Sequence, residues 1–484
     1  MRVIIIKLYK KMKVNPNMFR GYDLRGIADK DLTPEIVEHI GKAYGTYLKR
    51  HGIFDAVIGY DCRFTSESYA EAIIKGFNSV GVNTVNIGLN LVGTFYWSQY
   101  YLKIKGGAFI TASHNPSEYN GFKFMIDYSE NLIDDGMQEL RRMVEEDDIE
   151  QGNAIGNNEK KDVREAYFKD ILEKLPLNKK FKIVVDPSHS TAGAIVPDLL
   201  RQAGCEVIEK NCDIDPSFPL GTPDPTESII ANRVKNEVLE STADIGFSYD
   251  ADGDRIGIVD NQGTIIWNDV LVALFAIDVL HKHPEAIIMY NTLCSKLVKE
   301  TILKYGGQPF MWRTGHGFLK KKNQEVKAAF IGELSGHFFF SADFYNHDDG
   351  IYSTMRLLHY LSRTNQTLAE ALSSLPNYKS SPEIKVGCAD EIKVSLMKKV
   401  AQKLKQDFSN AEIIDDERAG DGVRLEMEDS MFVIRYSQNG PYITVKFEAQ
   451  TENKYDELKD YIKKLLHSYE EMDWKYGVNV ESLE

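Results

Sequence analysis

At residues 107–116 the chain reads GAFITASHNP, and this stretch decides how the surrounding residues can fold. Its apolar first half has the length of a strand, and small and polar residues end it abruptly. Two turn signals, NP at its end and NG shortly after, then reverse the chain. Ser113 is therefore predicted on a loop at the end of a strand, beside His114 and ten residues before Lys123. That setting suits a hydroxyl that handles a phosphoryl group, although the loop alone also fits a turn without chemistry.

Two further strands are predicted to end in polar clusters in the same way. Residues 244–249 lead into DADGDR at 250–255, and residues 328–332 lead into ELSGH at 333–337. In open α/β sheets the ligand crevice lies beyond the carboxyl ends of the strands. Three α/β units could therefore direct three polar clusters into one cleft.

The remaining sequence repeats an α/β pattern. Strands predicted at 57–60 and 82–87 flank an amphipathic helix at 66–80, which is typical of a mostly parallel sheet. After residue 376, strands follow one another with a helix at each end, which indicates a small α+β domain on an antiparallel sheet. The predicted fold class is α/β, with three tandem mixed-sheet domains and a smaller α+β C-terminal domain around a central cleft. The predicted domains are 1–155 (with 1–17 as an extension), 156–260, 261–376 and 377–484.

The composition excludes several classes of protein. Hydrophobic residues make up 43% and charged residues 27% of the 484, as in ordinary globular proteins, and the net charge of −14 argues against a nucleic-acid partner. The five cysteines form no C-x-x-C pair, so neither a disulfide framework nor a zinc site is indicated. The longest apolar run, 270–277, is too short to span a membrane, and the N-terminus lacks a signal-peptide cleavage site. We therefore predict a cytoplasmic protein with no nucleic-acid or membrane partner.

The acidic cluster at 250–254 suits a metal ion. In an extended segment Asp250, Asp252 and Asp254 would face the same side, where their charges repel unless a cation lies between them. Oxygen ligands of this kind suit Mg²⁺. An EF-hand is excluded because its loop requires glycine and glutamate where this chain has Arg255 and Asn261. A solvated acidic turn stays an alternative, and Arg255 could hold a further oxygen of a bound phosphate.

Other polar residues suit a sugar-phosphate ligand. Glu333, Ser335 and His337 offer acceptors and donors for hydroxyl groups, and His337 could move protons near neutral pH. A strand-end turn held by its own hydrogen bonds is the alternative for this cluster. His316, between two glycines, is expected on an approachable loop or at a helix cap. The aspartates at 348–349 precede a predicted helix and are interpreted as its cap.

In this order and spacing the clusters resemble those of the α-D-phosphohexomutase superfamily, in particular its phosphomannomutase/phosphoglucomutase branch. The resemblance extends from about residue 19 to about residue 465. Residues 111–116 (TASHNP) resemble the family's phosphoserine loop, DADGDR its metal loop and ELSGH its sugar-binding loop. The loop that follows Arg435 resembles its phosphate-binding loop.

The resemblance implies a reversible transfer of a phosphoryl group between C1 and C6 of a hexose phosphate, with mannose or glucose as the sugar. A phosphoserine enzyme and a 1,6-bisphosphate intermediate would carry the transfer. The implied cofactors are one Mg²⁺ per chain and a sugar 1,6-bisphosphate as activator. We expect a hexose phosphate substrate and a monomer or weak homodimer.

Residue chemistry and the resemblance together give a set of candidate site residues. The candidates are, as catalytic residues, Ser113, His114, Arg25, Lys123 and His337; as metal ligands, Ser113, Asp250, Asp252 and Asp254; as substrate-binding residues, Tyr22, Arg255, His316, Glu333, Ser335 and His337; and as phosphate-binding residues, Arg435, Ser437 and Asn439.

Two departures from the family pattern concern the substrate side. The phosphate-binding loop usually reads R-x-S-N-T-E-P, and this chain has QNG at 438–440 in place of the last three residues before the proline. A lysine usual on a loop of the third domain is also replaced, around residues 291–294. Three alternatives stay open. They are a phosphoglucosamine mutase, which tends to have glutamine in place of Leu334; a haloacid-dehalogenase-type phosphatase with Asp250 or Asp252 as nucleophile; and a non-catalytic sugar-phosphate sensor.

Overall fold

Alternating strands and helices build the first sheet, as the sequence predicts. The computed structural model describes residues 13–152, 154–438 and 440–484, so most of the predicted 1–17 extension lies outside the described residues. The first elements are, in chain order, β1 (Leu24–Ile27), α1 (Pro34–Arg50), β2 (Asp55–Tyr60), α2 (Ser66–Ser79), β3 (Asn83–Leu89), α3 (Val92–Leu102), β4 (Gly106–Ile110), β5 (Tyr119–Asp127), β6 (Glu130–Asn131), α4 (Asp135–Glu146) and β7 (Asn158–Lys160).

The first sheet is mixed because the chain reverses after β4. Its strand order is β1-β5-β4-β2-β3-β7, with β6 paired to β5. Strands β4, β2, β3 and β7 are parallel, whereas β5 runs antiparallel to both β4 and β1. The serine loop, residues 111–118, is the connection that turns β4 back into β5. It therefore lies at the carboxyl end of β4, as the strand-end pattern predicts.

A second sheet follows the same plan. Its elements are α5 (Arg164–Lys174), β8 (Lys182–Asp186), α6 (Val196–Gln202), β9 (Glu206–Glu209), α7 (Ser228–Ser241), β10 (Ile245–Tyr249), β11 (Ile256–Asp260) and β12 (Ile265–Ile266), with strand order β12-β11-β10-β8-β9. Strands β9, β8 and β10 are parallel, and β11 returns antiparallel to β10. The DADGDR sequence is the turn between β10 and β11.

The third sheet is shorter. Its elements are α8 (Asn268–Lys282), β13 (Ile287–Asn291), α9 (Lys296–Lys304), β14 (Gln308–Trp312), α10 (His316–Val326), β15 (Phe330–Gly332), β16 (Phe338–Phe339), α11 (Gly350–Thr364) and α12 (Leu368–Leu372), with strand order β14-β13-β15-β16. Strands β14, β13 and β15 are parallel and β16 is antiparallel to β15. The ELSGH sequence connects β15 to β16.

The C-terminal part is the predicted antiparallel α+β domain. Its elements are β17 (Lys379–Ser380), β18 (Ile384–Gly387), α13 (Asp390–Asp407), β19 (Glu412–Ile414), β20 (Gly422–Glu426), β21 (Ser430–Tyr436), β22 (Tyr442–Ala449), α14 (Glu452–His467) and β23 (Asp473–Val478), with strand order β19-β20-β21-β22-β18-β23 and β17 paired to β22. Strand β23 was not predicted, and it extends the sheet along β18. The fold class of three mixed α/β sheets and one antiparallel α+β domain is confirmed.

The described residues form two compact units. The first ends at Tyr167 and also includes Asp215–Thr222, and the second comprises Phe168–Ile214 and Pro223–Glu484. The domain boundaries near residues 155, 260 and 376 stay predictions. Within the described part of the chain, no helix has both the length and the apolar character needed to cross a bilayer.

Candidate active site

The serine loop holds Ser113 in an unusual backbone conformation. Ser113 has φ of 46°, a left-handed region that costs an L-residue about 1–3 kcal/mol, and it is only 4% exposed. Its amide donates to the Thr111 hydroxyl at 2.8 Å, and its Oγ lies 3.1 Å from Nδ1 of His114. Such a conformation persists only where the surrounding structure fixes it. The Ser113 hydroxyl is thus presented in one orientation beside an imidazole that can accept or donate its proton.

Arg63 stabilises this conformation of the serine loop through hydrogen bonds to its backbone. Its two terminal guanidinium nitrogens donate to four backbone carbonyls: those of Ser113 and Asn115 at 2.6 Å and Pro116 at 2.8 Å in the serine loop, and that of Tyr119, the first residue of β5, at 2.9 Å. The planar fork of arginine suits several acceptors at once, which a single ammonium cannot match. Arg63 is 3% exposed, so these bonds form away from solvent.

Asp61 in turn anchors Arg63. Its carboxylate lies 3.3 Å from Nε of Arg63 and accepts the Ser66 hydroxyl at 2.5 Å. Burial raises the pKa of Asp61, and the nearby Arg63 opposes that shift. The sequence analysis missed both residues. They follow the carboxyl end of β2, so the strand-end pattern that identified Ser113 could have found them.

Three further predicted residues belong to the same unit as the serine loop. Arg25 on β1 donates to Oδ1 of Asn115 at 2.6 Å and to Asp23 at 2.7 Å. Lys123 lies on β5 opposite Phe109 and is buried, and Tyr22 is also buried. Two cationic side chains thus accompany the serine in this unit.

The aspartates of the predicted metal loop, residues 250–255, converge in a tight turn. The ligand oxygens of Asp250, Asp252 and Asp254 lie within 4.8 Å of one another, and all three residues are buried. The prediction of an extended segment is wrong, because residues 251–254 form a turn. Gly253 takes φ of 70° there and donates its amide to the Asp250 carbonyl at 3.2 Å. The turn, rather than a strand pleat, brings the carboxylates together.

These carboxylates fit a hard divalent cation. Three buried negative charges at this spacing are costly unless a positive charge lies among them, and an all-oxygen donor set suits Mg²⁺. A second group, Asp254 with His337 and Asp348, also has ligand atoms within 4.8 Å. It contains an imidazole and faces the Lys320 ammonium, 3.5 Å from Asp348, so it suits a divalent cation less well.

Arg255 belongs to a buried ion network rather than to an open surface. Its Nε donates to Asp250 at 3.0 Å and its NH1 to Asp224 at 3.2 Å. Lys385 on β18 lies 3.4 Å from the other oxygen of Asp224. Burial alone would lower the pKa of Arg255, but Asp224 and Asp250 outweigh it and keep the guanidinium charged. Asp224 and Lys385 were not predicted.

The predicted sugar-binding loop, residues 333–337, is fixed by its own polar contacts. Glu333 accepts the Gly315 amide at 3.1 Å and the Asn291 side-chain amide at 3.2 Å, and burial raises the pKa of this carboxyl. Ser335 Oγ lies 2.8 Å from Nδ1 of His337. The structure therefore gathers the three predicted polar residues of this loop and adds Asn291 to them.

His337 joins the sugar-binding loop to the metal loop. Its backbone forms an isolated bridge with Arg255, and its Nε2 lies 3.4 Å from Asp254. Burial opposes a charge on the ring, but Asp254, Asp348 and Glu333 outweigh it and raise the pKa of His337 to about 8. The imidazole can therefore donate a proton near neutral pH.

Around α10 and α11 the expectations are met in part. His316 is the first residue of α10 and is 4% exposed, so its expected position on an approachable loop is wrong. Asp349 is the N-cap of α11 and accepts the Tyr352 amide at 2.9 Å, which confirms the predicted cap. Asp348 does not cap the helix. It is fully buried and faces His316 and His337, a position that the sequence analysis missed.

The loop predicted to bind phosphate lies between β21 and β22. Arg435 donates to both oxygens of Asp421, through Nε at 2.7 Å and through NH2. Lys393 on α13 donates to the carbonyls of Ser437 at 2.6 Å and Gly440 at 3.1 Å, so an ammonium group underlies the loop. Neither Asp421 nor Lys393 was predicted. The predicted Asn439 lies outside the described residues.

Comparison with known proteins gives matches over most of the chain. Three family models match, described as phosphoglucomutase/phosphomannomutase alpha/beta/alpha domains I, II and III, at residues 16–151, 165–263 and 267–378. A phosphomannomutase/phosphoglucomutase of Pseudomonas putida is 36% identical over 92% of this chain and 94% of its own length. A phosphoglucomutase of Neisseria meningitidis serogroup A is 32% identical over 95% of this chain and 98% of its own.

A solved structure agrees with these sequence matches. The crystal structure of a phosphoglucomutase/phosphomannomutase family protein from Burkholderia thailandensis superposes with a TM-score of 0.85 at 31% identity. It covers 94% of this chain and 98% of its own.

Proposed function

Because the chain belongs to the phosphoglucomutase/phosphomannomutase family, we propose that it moves a phosphoryl group reversibly between C1 and C6 of a hexose phosphate. The observation that carries the proposal is the serine loop, in which Ser113 is held at positive φ with its hydroxyl beside His114. A hydroxyl oriented in this way, next to a base, is suited to carry a phosphoryl group.

In the proposed reaction Ser113 carries the phosphoryl group at the start. The group passes to the free hydroxyl, at C1 or C6, of a sugar monophosphate. This step breaks the serine O–P bond, forms a sugar O–P bond and leaves a serine hydroxyl. The resulting 1,6-bisphosphate turns over, and its other phosphoryl group passes to Ser113. The products are the isomeric monophosphate and the phosphorylated serine, so phosphate is conserved.

Proton handling falls to groups near the serine and in the sugar-binding loop. The sugar hydroxyl that attacks phosphorus loses a proton, and the serine oxygen that leaves gains one. We assign these transfers to His114, Arg25 and Lys123 in the first unit and to His337 in the second. His114 is supported by its 3.1 Å distance from Ser113 Oγ, and His337 by its position 3.4 Å from Asp254.

The proposed metal is Mg²⁺, held by Asp250, Asp252 and Asp254, with a phosphate oxygen on Ser113 as a further ligand. When bound, the cation would neutralise charge that develops on the transferred group. Arg255 keeps Asp250 in place through the bond from its Nε, and its charge offsets part of the repulsion among the carboxylates. Binding of a phosphate oxygen by Arg255 stays a prediction.

Sugar and phosphate recognition is assigned to the candidate substrate-binding and phosphate-binding residues, with support from Lys393 and Asp421. Glu333, Ser335 and His337 present acceptors and donors to the sugar hydroxyls, and His316 and Tyr22 would line the same ligand. Arg435 and Ser437, with Asn439, would hold the phosphate that is not transferred, and Lys393 adds positive charge beneath that loop. Asp421 orients the Arg435 guanidinium so that the remaining donors are fixed in direction.

Several finer assignments also stay proposals. A sugar 1,6-bisphosphate would act as activator by rephosphorylating Ser113 whenever the intermediate escapes. Mannose and glucose are the proposed sugars, and glucosamine is the alternative. A monomer or weak homodimer in the cytoplasm completes the proposal.

The test is conversion of mannose 1-phosphate and glucose 1-phosphate to their 6-phosphates, with Mg²⁺ and a trace of glucose 1,6-bisphosphate. Three proteins are compared: the intact chain, Ser113→Ala and the control Ser68→Ala, whose exposed hydroxyl donates to the Thr65 carbonyl. We expect isomer from the intact chain and the control only. Free phosphate released equally by all three would indicate an aspartate nucleophile in the metal loop instead. Binding without turnover by the intact chain would indicate a sensor.

A further inference from the structure

Two adjacent aspartates before α11 have different tasks. Asp349 caps the helix by accepting the Tyr352 amide at 2.9 Å. Asp348 forms a backbone bridge with Phe339 next to β16, and none of its surface is exposed. A fully buried carboxylate is costly unless positive groups surround it. The environment of the Asp348 side chain therefore indicates what it does.

Three groups that can carry positive charge surround the Asp348 carboxylate. One oxygen lies 3.7 Å from Nδ1 of His316 and 3.7 Å from Nε2 of His337, and the other lies 3.5 Å from the Lys320 ammonium. The two imidazole rings stack over each other at 5.3 Å between centroids with a 20° angle between planes. One carboxylate is thus shared by two stacked histidines and a buried lysine.

The arrangement depends on the negative charge of Asp348. The distances exceed those of good hydrogen bonds, so the attraction is mainly electrostatic. Lys320 is 2% exposed and His316 is 4% exposed, so water screens their mutual repulsion poorly. Without the carboxylate, the Lys320 ammonium and the two stacked rings would lose the negative group that they share at 3.5 to 3.7 Å.

Asp254 and Glu333 also face His337, but each has another task in the proposed enzyme. Asp254 lies 3.4 Å from Nε2 of His337 and is one of the candidate metal ligands. Glu333 lies 3.6 Å from Nδ1 and is held by Asn291 and Gly315. Asp348 differs from these two carboxylates in its distances, because one of its oxygens lies 3.7 Å from both His316 and His337.

We propose that Asp348 is a positioning residue that fixes His316 and His337 relative to each other, and so sets how these two rings meet the hexose phosphate. Asp348 does not touch the substrate in this account and acts through the two imidazoles. The kinetic part of the proposal rests on the proposed function, whereas the arrangement of the rings does not.

Two measurements on the full-length protein test the proposal. The first records the ring signals of isotopically labelled histidines by NMR without substrate, with His316 and His337 assigned by single substitutions. The second measures kcat and KM for the hexose phosphates that the intact chain converts. The variants are Asp348→Asn, which removes the charge but keeps the shape, and the matched control Asp349→Asn, since asparagine caps helices as well as aspartate.

A third variant separates positioning from charge balance. Asp348→Asn combined with Lys320→Met removes one negative and one positive charge together. Because this double variant leaves no buried Lys320 ammonium without the Asp348 charge, it can be measured even if Asp348→Asn alone fails to fold. If Asp348 acted only as a counter-charge to Lys320, this double variant would recover normal turnover.

We expect Asp348→Asn to move the ring signals of both His316 and His337 and to leave the histidines outside this cluster unchanged; His347, whose Nδ1 lies 3.2 Å from the Asp348 carbonyl, does not serve as a reference. Displacement of the rings should lower kcat/KM by about 10²-fold, because both imidazoles are proposed to contact the hexose phosphate. The double variant should stay impaired, and Asp349→Asn should match the intact chain in both measurements.

Other outcomes overturn the proposal. Unmoved ring signals in Asp348→Asn would show that the carboxylate does not position the imidazoles. Recovery of kcat/KM in the double variant would reduce its role to charge balance. Equal loss in Asp349→Asn would assign the effect to the turn rather than to the carboxylate. If the intact chain converts no hexose phosphate, the proposed function fails, and the ring signals still decide whether Asp348 positions the two histidines.

Discussion

Replacing Arg63 with lysine should loosen the serine loop while keeping the buried positive charge. In the structure one guanidinium donates to four backbone carbonyls, at 2.6 to 2.9 Å, between Ser113 and Tyr119. A lysine ammonium carries its donors on one nitrogen and lacks the planar fork, so it cannot span these acceptors. The lysine ammonium would still balance the charge of Asp61. The substitution therefore tests the loss of hydrogen bonds to the loop without leaving a buried carboxylate unpaired.

The size of the effect follows from the number of bonds lost. If lysine keeps two of the four carbonyl contacts, two charge-assisted hydrogen bonds are lost at about 1.5 kcal/mol each, or about 3 kcal/mol in total. Since about 1.4 kcal/mol corresponds to a factor of ten, local opening of the loop should become about 10²-fold more frequent. The positive φ of Ser113 makes this loop sensitive, because the unfavourable conformation relaxes once its support is lost.

Hydrogen–deuterium exchange followed by mass spectrometry measures this opening directly. The informative amides are those of Asn115 and Tyr119, which donate within the loop to Ala112 and Pro116 at 3.0 Å each. A peptide that covers residues 112–120 should exchange about 10²-fold faster in Arg63→Lys than in the intact chain.

Arg50→Lys is the matched control for this prediction. Arg50 forms ion pairs with Asp148 and Glu150 on the surface, where such pairs are worth about 0–1 kcal/mol. In Arg50→Lys, the amides of the serine loop should exchange at the same rate as in the intact chain. If Arg63→Lys also left exchange of the loop unchanged, the account of Arg63 as the support of Ser113 would be wrong.

Three further predictions follow from contacts in the second unit. Lys393→Met removes a positive charge beneath the phosphate-binding loop, so it should raise KM for the hexose phosphate more than it lowers kcat. An unchanged KM in steady-state kinetics would contradict this prediction. Burial and Asp224 raise the pKa of Glu227 to about 7, so ionisation of this carboxyl destabilises the folded state above its ordinary pKa of 4.5. Glu227→Gln should therefore raise the thermal unfolding temperature near pH 8 but not near pH 4. An equal shift at both pH values, measured by calorimetry, would show that ionisation of Glu227 is not the cause. Asn479→Ala removes hydrogen bonds to Ser228 at 3.0 Å and to the Glu383 carbonyl at 2.9 Å. The free energy of unfolding should fall by about 1–3 kcal/mol, and the second unit should unfold at a lower urea concentration. An unchanged urea midpoint would mean that Asn479 does not stabilise the second unit.

The strand-end pattern predicted much of the candidate site because it follows from sheet geometry. A polar cluster after a buried strand needs no long-range information, and this is how Ser113, the three aspartates and Glu333 were found. The same pattern could have found Asp61 and Arg63 after β2. Arg63 was missed because its partners are backbone carbonyls, which every residue has and which leave no mark in the sequence.

Other features depend on backbone conformation or burial, which the pattern of residue types did not reveal. Asp348 and Asp349 both suit a helix cap, and only the φ and ψ angles at the start of α11 decide that Asp349 takes it. The metal loop was predicted as extended because its aspartates alternate, whereas Gly253 permits the positive φ that closes it into a turn. Strand β23 was missed because four of its six residues are exposed, so it lacks an alternating apolar face.

The measurement that tests the central claim most directly is the location of phosphate on the protein after incubation with glucose 1,6-bisphosphate and Mg²⁺. Peptide mass spectrometry should find the phosphate on Ser113, and addition of glucose 6-phosphate should remove it as the bisphosphate reforms. Phosphate on an aspartate of the metal loop, or isomer formation by Ser113→Ala at the rate of the intact chain, would contradict the claim that Ser113 carries the transferred group.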